Sequence, residues 1–277
     1  MSIVVGIDVG GSTTKIVGFR TEGGVRTLIE PQLIHANDPL TATYGAFGRF
    51  ADENKISIDE IDRVYMTGVG SSFVKRDIYG LDCRRVEEFN CIGNGGLYLS
   101  GLDECLVVSM GTGTAIVHAK RGGDINYLGG TGVGGGTLVG LSKLLTHAEN
   151  IDHITEFADS GDLSKIDLRI GDITAGADSL LESELTASNF GNVSELATKE
   201  DVSLGILNLV YETVGMVSIF ASRYCGVRDI VLTGNLTRLD YCKKKFEQFN
   251  RLGYGVNFII PERSEYATVI GGALLEN

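Results

Sequence analysis

The sequence predicts an α/β protein of two lobes, and three observations lead there. The chain has 277 residues, more than one typical core holds, so two lobes are the default. An apolar strand, a glycine turn and a second apolar strand occur at the start, and the same design returns at residues 105–117, CLVVSMGTGTAIV, with Ser109 in the place of Asp8. The intervening letters differ, which makes this a structural pseudo-repeat, not a sequence duplication. Finally, a glycine-rich stretch at 129–140, GGTGVGGGTLVG, runs into the helical apolar pattern LSKLL.

The opening unit, GIDVGGSTTK at 6–15, sets the chemistry. Ile3, Val4, Val5 and Ile7 lead into Asp8, and Ile16, Val17 and Phe19 follow Lys15. Gly10 and Gly11 let backbone N–H groups approach an anion where a Cβ would obstruct them. Ser12, Thr13, Thr14 and Lys15 add donors for a phosphate. Asp8, where the strand ends, suits a hydrated Mg²⁺ better than a bare phosphate. Taken alone, the motif fits an ordinary glycine hairpin equally well.

Further along, the pattern gives a strand around Arg26–Ile34, a helix over residues 40–54 and a strand over Asp62–Thr67 that enters the turn Gly68-Val69-Gly70. Residues 84–99, RRVEEFNCIGNGGLYL, pass from a charged strand end into a small-residue helix. Gly134-Gly135-Gly136 precede a helix, a position expected to present free backbone N–H groups and a favourable dipole to an anion. Residues 230–239, IVLTGNLTRL, read as a buried strand whose Gly234-Asn235 opens onto a helix, and TVIGGALL at 268–275 reads as a small-residue helix able to pack very close to backbone.

A net charge of −12 and a pI near 4.8 argue against a general nucleic-acid or anionic-membrane surface, so a polyphosphate must arrive with Mg²⁺ and meet a local donor cluster. Five cysteines, odd in number and without a CxxC pair, read as reduced thiols of a cytoplasmic protein. No basic region precedes the first apolar run, so no signal peptide is expected. Residues 203–222 are long enough to span a bilayer, but Ser, Asn, Gly and Glu212 within them favour a buried helix, covered by its own chain or by a partner.

Two strand–loop–strand units resemble the paired phosphate loops of the actin, sugar-kinase and heat-shock ATPase superfamily. That resemblance implies two ribonuclease-H-like lobes, each a mixed sheet flanked by helices, with ATP in the cleft between them. Over nearly its whole length the chain resembles type II pantothenate kinases, on GIDVGGSTTK, VEEFNC (86–91), MGTGTA (110–115), GGTGVGGGTLVGLSKLL (129–145), LTASNFGNV (185–193), LTGNLTRL and IGGALL, in matching order and spacing. The family transfers the ATP γ-phosphoryl group to the primary hydroxyl of pantothenate, the first step towards coenzyme A.

The resemblance implies Glu88 as the catalytic carboxylate, with Glu87 the competing candidate, and Asp8 on the Mg²⁺ side. It places Gly10, Gly11, Ser12, Thr13, Thr14, Lys15, Thr112, Gly134, Gly135, Gly136, Thr137, Leu138 and Asn235 on ATP. It implies a lobe of residues 1–100, a second lobe of residues 101–277 and a cytoplasmic homodimer joined through the helix around 203–222, with CoA or acyl-CoA as inhibitor. The departures fall on the substrate side. Tyr127 stands where the family usually has Arg, Asn90 where it has Asp, and Ala115 where it has Ser. A Tyr lacks the cationic fork that Arg offers a carboxylate, and Arg121 or Lys120 are the nearby cations that would have to substitute. Two alternatives stay open: a related kinase with another hydroxyl acceptor, and a non-kinase ATPase such as a dehydratase activator.

Overall fold

The computed structural model describes residues 2–11, 13–35, 38–174 and 183–275. Strand β1 (Ser2–Val9) has one face fully covered, Ile3, Val5, Ile7 and Val9, and the other partly covered, as suits a central strand. It pairs antiparallel with β2 (Thr14–Glu22), which pairs antiparallel with β3 (Val25–Ile34). Helix α1 (Pro39–Glu53) starts on Asp38, whose carboxylate accepts from the Thr41 N–H at 2.7 Å, and buries Ala46, Phe47 and Phe50 against the sheet. Strand β4 (Ile61–Thr67) returns parallel to β1, and β5 (Cys83–Arg85) adds beside it, giving the order β3-β2-β1-β4-β5. Helix α2 (Glu88–Ser100) follows.

The second half repeats the plan. Strands β6 (Glu104–Met110), β7 (Thr114–Lys120) and β8 (Ile125–Thr131) form an antiparallel meander. Inserted next are α3 (Gly135–Thr146), α4 (Ile151–Asp159), a small ladder of β9 (Leu168–Arg169) with β10 (Thr186–Ser188), α5 (Ile170–Thr174) and the long α6 (Lys199–Cys225). Strand β11 (Asp229–Thr233) then runs parallel to β6, and after α7 (Asp240–Arg251), β12 (Asn257–Ile259) joins its edge, giving β8-β7-β6-β11-β12. Helix α8 (Ala267–Leu274) follows β12 as α2 follows β5. The repeat inferred from two loops therefore extends over five strands and a helix. Its register agrees too: Asp8 lies opposite Lys15, and Ser109 opposite Ala115.

Helix α6 contains the stretch whose length and composition would allow a membrane crossing. Ile206, Leu207, Val210, Tyr211, Val214 and Ile219 pack instead into a core shared with Leu106, Val108, Met110 and Leu232, so this face is covered by its own chain. The Tyr211 hydroxyl, buried there, donates to the Leu236 carbonyl at 2.8 Å.

Helices α2 and α8 join the two halves. Ile92 and Leu97 of α2 share a cluster with Val107, Val117 and Val231 of the second sheet. Val269, Ile270 and Ala273 of α8 pack on Val17 and Phe19 of the first. The sequence-based boundary after residue 100 falls at the last residue of α2, and across it the two helices exchange sheets. They touch backbone to backbone: a Cβ on Gly95 would strike the Ala267 carbonyl, and one on Gly271 the Cys91 carbonyl. Replacing Gly95 by Val is expected to lower unfolding stability by about 3 kcal/mol, since overpacked cores lose roughly 1–3 kcal/mol and here the obstacle is backbone. A urea unfolding midpoint unchanged from the parent protein would contradict this.

Candidate functional site

A cleft of about 1340 Å³ opens between the two sheets, and the loops at the strand ends form its walls. In the first loop the Gly10 N–H donates to the Thr13 carbonyl at 2.9 Å, and in the second Gly111 donates to Gly113 at 2.9 Å. Gly10, Gly11, Thr13 and Lys15 from the first loop line the cleft, as does Thr112 from the second. Ser12 lies outside the described residues. Thr14 is buried within β2, paired with Val9 and Ile34. Lys15 is almost fully covered, and its ammonium donates to the Glu265 carbonyl at 2.5 Å. Burial lowers its pKa, and the negative charges of Asp8 and Glu265 partly offset that.

The third glycine cluster does a different job from the one expected. The Gly135 N–H donates to the Gly111 carbonyl at 2.9 Å and the Gly136 N–H to Thr112 at 2.8 Å. These helix-start donors are spent on the second loop, so they are not free for an anion. Gly134 lies so close to that loop that a Cβ would come within 2.8 Å of the Gly113 Cα and the Thr112 carbonyl oxygen. Thr137 locks the turn, its hydroxyl donating to the Gly132 carbonyl at 2.9 Å and accepting from the Gly134 N–H at 3.3 Å. Leu138 belongs to the core beside Met110 and Leu236. Gly135 and Gly136 border the cleft; Gly134, Thr137 and Leu138 hold the loop from behind.

Two glycines at the ends of β4 and β11 match across the repeat. Gly68 (φ 83°) and Gly234 (φ 93°) have left-handed backbones pressed against the Val9 and Met110 carbonyls, where any side chain would be both strained and obstructed. Beyond Gly234, the Asn235 amide donates to the Thr13 hydroxyl at 3.5 Å, bridging the two halves, while its carbonyl oxygen is buried without a partner. Asn235 also lines the cleft, and a buried polar atom without a partner calls for an explanation such as a ligand donor.

Asp8 and Glu88 bring two carboxylates to the same cleft. Desolvation raises the Asp8 carboxyl above the usual carboxylate range, opposed by the Lys15 ammonium. Glu87 and Glu88 divide their roles. The Glu87 carboxylate caps α2 by accepting from the Asn90 N–H at 3.0 Å, so Glu88, the first helical residue, is the one that lines the cleft. Desolvation raises the Glu88 carboxyl, reinforced by the negative charges of Asp8 and Glu87.

The substrate-side residues separate as well. Ala115 and Tyr127 line the cleft, whereas the exposed Asn90 does not. Tyr127 is half exposed and stacks on Phe89, ring centroids 3.9 Å apart and planes 11° from parallel. Such a stack contributes about 1 kcal/mol beyond burial and braces the first turn of α2 against β8. Phe89 escaped the sequence reading because its partner is distant in the chain. Neither nearby cation replaces Tyr127. Arg121 donates to Asp103 at 2.9 Å and to the Leu97 and Leu102 carbonyls at 3.2 and 2.8 Å, and Lys120 pairs with Glu104 at 3.8 Å. Both lie outside the cleft lining.

The Fumble family model matches residues 4–259. The chain belongs to the Fumble family. It is similar to the type II pantothenate kinase of Oceanobacillus iheyensis, 28% identical over 280 residues covering 98% of each chain. It is also similar to pantothenate kinase 2 of Arabidopsis thaliana, 32% identical over 215 residues, 72% of this chain and 23% of the plant protein. The resemblance to type II pantothenate kinases drawn from the motifs stands. Among solved structures, the activator of 2-hydroxyisocaproyl-CoA dehydratase from Clostridium difficile with bound ADPNP is similar at a TM-score of 0.69 and 16% identity, covering 98% of this chain and 93% of that one. Component A of the Acidaminococcus fermentans (R)-2-hydroxyglutaryl-CoA dehydratase gives 0.68 at 16%. These likenesses show the two-lobed, actin-like fold and nothing of the reaction.

With Arg121 occupied at the end of α2, Arg121→Gln is expected to cost about 1 kcal/mol of stability and leave ligand affinity in the cleft unchanged. Chemical denaturation together with nucleotide titration checks both halves of that outcome.

Proposed function

We propose that this member of the Fumble family transfers the γ-phosphoryl group of ATP to the primary hydroxyl of pantothenate, yielding 4′-phosphopantothenate for coenzyme A synthesis. The observation that carries the reading is the convergence of Glu88, Asp8 and both glycine loops on one cleft. Phosphoryl transfer asks the protein mainly for positioning and charge stabilisation, and these groups supply both.

Glu88 accepts the proton of the acceptor hydroxyl as the new P–O bond forms, so the alcohol attacks as a developing alkoxide. A carboxyl raised by desolvation is more basic than an ordinary carboxylate, which suits it to taking the proton. Gly10, Gly11 and Thr13 face the phosphates from one lobe and Thr112 from the other, with Lys15 beside them opposite Asp8. Asn235, with its unpaired oxygen, orients the nucleoside side. The donor set also fits Mg²⁺. That ion binds through one or two carboxylates, substrate phosphates and retained waters, and Asp8 rests against Gly68, where a Cβ would strike its Oδ1. Bound there, Mg²⁺ supplies neutralisation of the phosphate charge.

The reading extends to a cytoplasmic homodimer inhibited by CoA or acyl-CoA, supported by the family resemblance and by the exposed apolar Phe220 and Tyr224 on α6. Size-exclusion chromatography with light scattering tests the dimer; a monomer at micromolar concentration refutes it.

Incubation with MgATP and pantothenate is expected to release ADP stoichiometrically with phosphopantothenate, and a rate equal to that without acceptor would sink the proposal. Glu88→Ala should reduce kcat at least ~100-fold, as loss of a general base does, with ATP affinity nearly intact. The pH profile follows from the same carboxyl. The base must be ionised, so kcat/KM falls as pH drops through a Glu88 pKa above the ordinary carboxylate value. Glu87→Gln removes a like charge and should move that acid limb to lower pH, which a pH–rate series reads directly.

A further inference from the structure

Between β12 and α8, residues 263–265 join two strands of the first sheet to the turn that follows β11 in the second. Each of the three reaches a different place. Arg263 donates to the Glu30 carboxylate on β3 at 2.9 Å. Ser264 meets the turn at Gly234 and Thr237. The Glu265 carbonyl accepts from the Lys15 ammonium on β2 at 2.5 Å. Arg263 holds a left-handed backbone (φ 59°), which a residue with a Cβ keeps only where its surroundings fix it.

Ser264 is the centre of this segment, and both it and Thr237 are buried. The Gly234 N–H donates to the Ser264 carbonyl at 3.1 Å, and the Thr237 hydroxyl donates to the Gly234 carbonyl at 2.7 Å. A hydroxyl has one hydrogen to give, so across the 2.7 Å pair of hydroxyls Ser264 donates and Thr237 accepts. Both polar backbone groups of Gly234 are thus held, one by Ser264 directly and the other through Thr237. The next residue is Asn235, whose amide reaches Thr13 and whose buried oxygen has no partner. On the other side, an ammonium carries three donors. Glu265 occupies one of them and leaves two for phosphate oxygens in the cleft that Lys15 lines.

We propose that residues 263–265 form a strap that holds Asn235 of one half and Lys15 of the other in register for the nucleotide, with Ser264 as its positioning residue. Ser264 itself is not among the residues lining the cleft, so it acts through the groups it holds. The proposal rests on the kinase reading above and assigns ATP affinity to a residue outside the phosphate loops.

Titration calorimetry with MgADPNP, paired with steady-state kinetics on MgATP and pantothenate, tests it. Ser264→Ala is expected to weaken MgADPNP binding and raise KM for ATP about tenfold, as removal of a buried hydrogen-bond partner does. The pantothenate KM and kcat should stay near the parent values. Thr237→Val, which keeps the shape and loses the hydroxyl, should match Ser264→Ala, and Thr237→Ser, which keeps the hydroxyl, should retain parental affinity. Adding Ser264→Ala to Asn235→Ala should cost less than Ser264→Ala alone, because the two share one effect. Nucleotide binding unchanged in both Ser264→Ala and Thr237→Val overturns the inference and leaves the kinase reading standing, even where the urea midpoint falls. Equal losses in the ATP and pantothenate KM, or fully additive losses with Asn235→Ala, give Ser264 a general structural role and overturn it as well. Failure of the parent protein to bind MgADPNP overturns both readings.

Discussion

The contact on which the rest of the structure depends is the backbone-to-backbone packing of α2 against α8. Gly95 lies against the Ala267 carbonyl and Gly271 against that of Cys91, so neither helix tolerates a Cβ at these points. Each helix follows the last strand of one sheet and seats its apolar face in the core of the other. This contact ties the two sheets together. Chemistry is attached to the same element: Glu88 is the first residue of α2 and lines the cleft.

Around that axis the protein uses one building plan twice and diverges where chemistry requires. Both halves turn from their fourth strand through a positive-φ glycine, Gly68 or Gly234, pressed on the end of the first strand. The first half keeps Asp8 and Lys15 opposite each other, while the second has Ser109 and Ala115 there. One lobe thus carries charge and the other supplies backbone and hydroxyl. The second loop lacks a lysine to stiffen it, and α3 holds it instead by two N–H donors from Gly135 and Gly136. A glycine cluster that looks like an anion site in sequence becomes a brace for one.

Electrostatics explains how a chain of net charge −12 can handle a polyphosphate. The cleft lining combines Lys15, His35 and Arg238 with the carboxylates of Asp8, Glu88, Glu149 and Asp152, and Lys15 stands opposite Asp8. Desolvation raises the Asp8 and Glu88 carboxyls and lowers the Lys15 ammonium, so each of the three groups is poised away from its solution behaviour. Tyr127, stacked on Phe89, adds an aromatic wall to the same cleft.

What the sequence by itself determined was the set of local devices: alternating apolar runs that must be strands, glycines that must be turns, and a duplicated strand–loop–strand design that required two lobes. These are legible because each depends on neighbours within about ten residues. Contacts between distant segments were decided only by the tertiary structure. The stack of Phe89 on Tyr127, the bridge from Asn235 to Thr13 and the spending of the α3 donors on the second loop join segments with no shared local pattern. The division of labour between Glu87 and Glu88 belongs to the same class. Two adjacent glutamates look alike as letters, but only the place where α2 begins makes one a cap and the other a group facing the cleft.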